Sequence, residues 1–262
     1  MHIIWGTRRT ERRLGYVADF CPICREVRAF RLIRVGLVGH LYYISIGAGK
    51  LVGHVIRCEE CGVDFETDLT RYASIEKKRP LHFSDLVPAT FPNFEVAYAA
   101  ELAQEDQIRR APRALPPGER QELLIAPFRH LHGAVAARYA GGLQLDKQAS
   151  LGCLATSVLV LGLFALATYL KGVQSDNILI AIVSVICIGT LYALVQTILA
   201  RGRFLRARII PPLARALDRL QPDEAELLEC LKRCREIGWT IGSKVKARQI
   251  LAEIERRRAA VD

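Results

Sequence analysis

The first thing this sequence lacks is a catalytic constellation. No HExxH is present, and His130 and His132 stand two apart, which on a helix turns them to different faces. No GxSxG stands beside a plausible triad. Gly47-Ala48-Gly49-Lys50 ends like a phosphate-binding loop but lacks the leading glycine and the following Ser or Thr, so it reads as a hairpin turn. His2, His40, His54 and His82 are isolated. Charge is missing in two places: no Asp, Glu, Lys, Arg or His lies within 149–170 or 178–200. Ion pathways and proton relays need such groups, so these runs read as an anchor and not a transporter. Before Arg8 only a few apolar residues occur, too few for a signal-peptide core. Eight cysteines in 262 residues are too sparse for a disulfide scaffold, and a hydrophobic content of 51% excludes disorder throughout.

What is present divides by composition. Mean hydropathy is +0.16 although the net charge is +10. Residues 1–150 hold 21 basic and 17 acidic side chains, residues 151–200 only Lys171 and Asp176, and residues 201–262 hold 15 basic and 9 acidic. The apolar runs Ala149–Leu170 and Ile178–Ala200 have 22 and 23 residues. As helices each spans roughly 33–35 Å, enough for a hydrocarbon core of about 30 Å. The seven residues between them, KGVQSDN, make an antiparallel transmembrane hairpin of 149–170 and 178–200. Arg201, Arg203, Arg206 and Arg208 follow it, Arg138 and Lys147 precede it, and the turn has Lys171 alone. Positive residues stay inside, so both termini are expected in the cytoplasm. Gly189, Ala193 and Thr197 give the second helix a face of small residues that can seat a neighbour.

The chemistry-bearing motif is Cys21-Pro22-Ile23-Cys24 with Cys58-Glu59-Glu60-Cys61-Gly62. Each CxxC presents two thiolates from one tight turn, and two such turns facing each other make a tetrahedron suited to structural zinc. Gly62 suits the left-handed position that closes the knuckle, and Arg25 occupies that place in the first. Three short strands, Val27–Val35, His40–Ile46 and Leu51–Arg57, are expected between the pairs, which gives a zinc ribbon with a long insert. Iron uses the same four-thiolate geometry, and disulfide or redox use of the pairs is the further alternative. With all four positions filled by cysteine no catalytic water fits. Cys153, Cys187, Cys230 and Cys234 read as packing.

The predicted organisation is an α+β membrane protein: a ribbon over 1–68, helical cytosolic linker 69–148, hairpin 149–200, and basic juxtamembrane segment with helical tail 201–262. Helices are expected over Phe94–Arg110 and Gly118–Tyr139, the latter kinked or split at Pro127. Pro211 and Pro212 should bend the segment after the second span. Asp223–Ile237 reads as a helix stopped by Gly238, and Ser243 as the cap of a last helix carrying Ala247, Ile250, Leu251 and Ile254.

The stretches IIWGTRR, LGYVADFCPIC, LYYISIGAGKLVGH and RCEECG resemble a group of uncharacterised bacterial membrane proteins with an N-terminal zinc ribbon and a transmembrane pair. The resemblance implies Cys21, Cys24, Cys58 and Cys61 as metal ligands and brings no activity with it. Three functions are expected, in order. The first is a non-enzymatic adaptor held in a bacterial inner membrane, recruiting a protein partner to the bilayer's cytosolic face. The second is a membrane-tethered nucleic-acid binder, on Arg8, Arg9, Arg12, Arg13, Arg25, Arg28, Arg31 and Arg34 with Tyr42 and Tyr43 to stack bases. The third is a CxxC redox protein.

Overall fold

Backbone pairing extends the cysteine-bearing region into strands far longer than its apolar alternation suggests. In the computed structural model, which describes residues 5–41, 44–79, 82–140, 151, 154–162 and 175–260, β1 (Trp5–Cys21), β2 (Glu26–Leu41), β3 (Ile44–Cys58) and β4 (Asp64–Thr67) form one antiparallel sheet in the order β1-β2-β3-β4. The expected turn at Gly47-Ala48-Gly49-Lys50 is corrected: β3 runs through it, and Leu41 pairs with Ile44 across residues 42–43, which lie outside the described residues. Leu37 pairs with Lys50 and Gly39 with Ile46, so the glycine-rich stretch supplies the extra residues of a bulge. The distal half of β1, rich in Thr and Arg, has no apolar face to betray it and is held by its ladder with β2.

The chain divides into two compact units, Met1–His132 with Ile210–Asp262, and Gly133–Ile209. In the first, Phe30, Leu32 and Ile56 are buried on one face of the sheet. Phe65 stands edge-on to Phe30 and to His130 of α4 (Pro117–Ala140) at ring separations of 6.1 and 5.5 Å. On the other face Tyr16 and Ala18 pack with Leu86 of α1 (Phe83–Thr90). The free edge of β1 is closed off: Tyr16 and Glu76 exchange backbone hydrogen bonds of 2.7 and 3.0 Å, and the Ala18 amide donates to Thr90 Oγ1 at 2.9 Å. Gly15 permits this approach, because a Cβ there would lie 2.6 Å from Ile75 Cγ2.

The expected helix over Phe94–Arg110 is two, α2 (Phe94–Ala97) and α3 (Ala99–Arg110). Of the expected kink or split at Pro127, the split does not occur: one helix runs through it. Leu124, Ile125, Phe128 and Leu131 of α4 are buried around it, and their packing outweighs the roughly 3 kcal/mol that an interior proline costs.

The C-terminal segment adds α7 (Ile210–Asp218), α8 (Glu224–Glu236), α9 (Ile241–Lys244) and α10 (Ala247–Arg258) to this first unit. Asp223 caps α8 in a capping box with Glu226, and Gly238 at φ 86° ends it. Ser243 lies inside α9, and α10 starts after Lys246, which corrects the expected cap. Arg120 forks onto Glu226 at 2.5 and 2.9 Å, and His132 stacks on Trp239 at 4.7 Å, so α4 and the tail share one core.

The second unit contains α5 (residues 154–162) and α6 (Ser175–Phe204). The helix Val183–Asp218 contains an 18-residue stretch of mean hydropathy 2.0 and is long and apolar enough to cross a membrane by length and composition. It continues into the proline pair through a π-helical turn, Leu205–Ile209, where Pro211 and Pro212 deny the preceding carbonyls their donors. The expected pair of spans is corrected to this extent: one membrane-length helix is seen among the described residues. Of 149–170 only 151 and 154–162 are described, and 163–174, with most of the expected turn, lie outside. α5 does meet α6, since a Cβ on Gly189 would lie 2.8 Å from Thr156 Oγ1. The side chains of Leu154, Leu161, Ile188 and Ile198 are exposed.

Candidate metal centre

Each knuckle closes where one strand ends and the next begins. β1 stops at Cys21 and β2 starts at Glu26; β3 stops at Cys58 and β4 starts at Asp64. The Arg25 amide returns to the Cys21 carbonyl at 2.6 Å, and the Gly62 amide to that of Cys58 at 2.9 Å. Both turns end in the left-handed region, Arg25 at φ 56° and Gly62 at φ 70°. The Cys24 amide points at Cys21 Sγ, 3.3 Å away, a donor that favours thiolate.

Antiparallel pairing sets the two knuckles side by side, and the four sulfurs of Cys21, Cys24, Cys58 and Cys61 lie within 4.8 Å of one another. Cys21 to Cys61 is 3.7 Å and Cys24 to Cys58 is 3.9 Å. A tetrahedron with sulfur about 2.3 Å from a central metal has edges of about 3.8 Å, and a disulfide is about 2.05 Å. The separations match the first and exclude the second. All four cysteines offered as ligands by the sequence are thus brought together into a site able to hold a metal ion.

The sulfurs share protons unequally. Hydrogen bonding with Cys24 and the other two sulfurs, with burial, pushes the Cys21 thiol far above the ordinary range. Hydrogen bonds from Cys21, Cys58 and Cys61, helped by the Arg215 guanidinium, hold Cys24 far below it. A divalent cation relieves this crowding by replacing the shared protons.

No family model, curated protein or solved structure matches the chain. The site is therefore read from its own geometry.

Arg25, the odd residue in a glycine place, has a structural reason. Its guanidinium is buried and donates from Nε to Glu105 Oε1 of α3 at 2.7 Å. Nη1 reaches the Ala216 carbonyl of α7 at 3.5 Å. Asp19, two residues before the first ligand, is buried and accepts from Tyr72 and Tyr98, each at 2.6 Å. These partners are 53 to 191 residues away in the chain, and no local pattern announces them. Cys230 and Cys234 do not join the metal cluster. They are buried one turn apart on α8, where burial pushes their thiols up to about 12 and about 11, and they pack as neutral side chains.

Proposed function

We propose that the chain is a membrane-anchored, non-enzymatic zinc-ribbon protein whose ribbon is an interaction module on the cytosolic face of a bacterial inner membrane. The observation that carries this reading is the closed tetrahedron of sulfurs. Four thiolates fill a zinc coordination sphere and leave no position for water or substrate. Such a metal supplies a cross-link between the knuckles and no reaction.

Two spans with both ends in the cytosol remain part of this proposal, although one membrane-length helix is seen among the described residues. The Arg138 guanidinium lies 5.8 Å from the Phe204 ring centre, and that of Arg201 lies 5.4 Å from that of Tyr139. The chain entering the apolar region thus meets the chain leaving it. α6 alone is about 45 Å long, more than a hydrocarbon core of about 30 Å requires. The approach of Thr156 to Gly189 fits two helices packed side by side. The basic cluster after 200 favours the cytosolic side, where thiols stay reduced.

Elemental analysis of the purified protein with thiol counting tests the metal. One zinc per chain with four protected thiols is expected; iron would replace zinc in this reading, and disulfides would end it in favour of redox chemistry. Pull-downs from detergent extracts test the adaptor, whose protein partner should be lost when the four cysteines are replaced.

One observation favours nucleic acid as the partner instead. Arg12 pairs across the sheet with Arg34, two guanidinium-bearing residues at one register position of adjacent strands. Like charges set side by side suit a polyanion. Tyr42 and Tyr43 lie outside the described residues. Salt-dependent binding of the protein to single-stranded RNA or DNA would support this second reading, and absence of binding at low salt would reject it.

A further inference from the structure

The metal site is gripped from outside the ribbon by α7, a helix 191 residues beyond Cys24 in the chain. Arg215 Nη1 lies 3.7 Å from Cys24 Sγ and 2.7 Å from Glu60 Oε1. One guanidinium therefore touches both knuckles. One turn on, Arg219 donates to the Arg25 carbonyl at 3.2 Å and pairs with Glu26.

These residues surround a small cleft of about 240 Å³ beside Cys24, whose charges do not balance among themselves. Arg28, Arg215, Arg219 and Arg257 line it with Glu60 and Asp218. Arg28 and Arg219 share Glu26, and Arg258 pairs with Asp218. Five guanidinium groups thus face three carboxylates, an excess of two positive charges. Zn²⁺ in four thiolates carries two net negative charges. The loaded centre is the counter-charge this cleft lacks, and Arg215 is already directed at one of its sulfurs. A half-buried guanidinium against a thiolate is the kind of outer-sphere contact that orients a ligand and tunes the metal.

We propose that Arg215 is an outer-sphere partner of the metal centre, and that the charge of the loaded centre holds α7 on the ribbon, so that metal occupancy controls how firmly the C-terminal helices are docked. This rests on reading the four cysteines as a zinc site, as above. Leu213 and Leu217 of α7 are fully buried as well, so apolar packing keeps the helix near when metal leaves. Metal changes its protection, not its presence.

The test uses the full chain in detergent micelles, zinc-loaded and zinc-stripped. Three quantities are read: zinc content, zinc retention against a chelator, and hydrogen exchange of the α7 amides. In Arg215→Gln, zinc retention should fall about 10–100-fold, the usual effect of losing an outer-sphere partner. Arg215→Lys, which keeps the charge but not the planar fork, should fall between that variant and the wild type. In the cobalt-loaded protein the thiolate-to-metal charge-transfer band should shift in Arg215→Gln, a signature that general loosening of the fold does not produce. Stripping zinc from the wild type should speed α7 exchange about tenfold or more. Unchanged retention in Arg215→Gln, or α7 exchange indifferent to zinc, overturns the proposal while a wild type with one zinc per chain preserves the metal reading. A wild type that binds no metal overturns the metal reading, and this proposal with it.

Discussion

Replacing Glu105 by Ala strands the buried Arg25 guanidinium. Arg25 and Glu105 side chains are only 5% and 8% exposed, and the pair is made at 2.7 Å. Removing one member of such a pair costs about 3–5 kcal/mol, because the remaining charge is left without solvent or partner. The Ala216 carbonyl at 3.5 Å is too distant to replace a carboxylate. With a urea slope of about 2–3 kcal/mol/M, the unfolding midpoint should fall by roughly 1–2 M. Arg25 also sits at φ 56°, where a residue other than glycine carries about 1–2 kcal/mol of strain. The double change Arg25→Gly with Glu105→Ala removes the stranded charge and this strain together. It should recover most of the loss and end within about 2 kcal/mol of the wild type, since buried ion pairs add little beyond what an apolar replacement provides. Pulse proteolysis of the full chain across a urea series, at fixed free zinc because bound metal itself stabilises, measures all three. A midpoint shift under about 0.3 M for Glu105→Ala, or a double variant no more stable than the single one, would refute the reasoning.

Burial pushes the Glu105 carboxyl above its ordinary 4.5, with Arg25 pulling it back, so between 4.5 and the raised value the folded chain holds a proton that the unfolded chain has released, and above it the carboxylate pairs with Arg25. Its contribution is full below 4.5 and declines as pH rises through the raised value; Glu105→Gln should lack that decline in a pH series of urea midpoints. Cys58→Ser should lower zinc content, and chelation of the wild type should unprotect the amides of Phe30, Leu32 and Ile56 in hydrogen exchange. In small zinc domains metal binding supplies about 10–16 kcal/mol of apparent free energy, much of it folding energy. Asp19→Asn weakens two charged hydrogen bonds from Tyr72 and Tyr98 and should cost about 2–4 kcal/mol by the same proteolysis. Gly15→Val places a Cβ 2.6 Å from Ile75 Cγ2 and against the Glu76 carbonyl, and overpacking there should cost about 1–3 kcal/mol with faster exchange at the Tyr16 amide.

The chemistry of the site was legible from a short string of residues because each half of it is local. A CxxC turn carries two ligands within four residues, and Gly62 marks the knuckle by a backbone angle that favours glycine. The capping box at Asp223, the stop at Gly238 and the apolar composition of 178–200 are local for the same reason. Where local signals misled, partners distant in sequence decided. Gly47-Ala48-Gly49-Lys50 has turn composition, yet ladder bonds to β2 draw it into a strand. Pro127 should interrupt a helix, yet the buried side chains around it hold one together. The polar first half of β1 has no periodicity to read, because its edge pairing and not its burial makes it a strand.

Sequence alone determined the four sulfurs, the apolar segments and the asymmetry of charge around them, since ligand type, hydropathy and net charge belong to residues and short windows. Only the tertiary structure decided that the sulfurs stand at tetrahedral separations, that an arginine serves where a glycine was expected, and that a helix from the far end of the chain lays Arg215 against Cys24. Those are distances between segments up to 191 residues apart, and a distance of that kind exists only once the backbone has closed the loop between them.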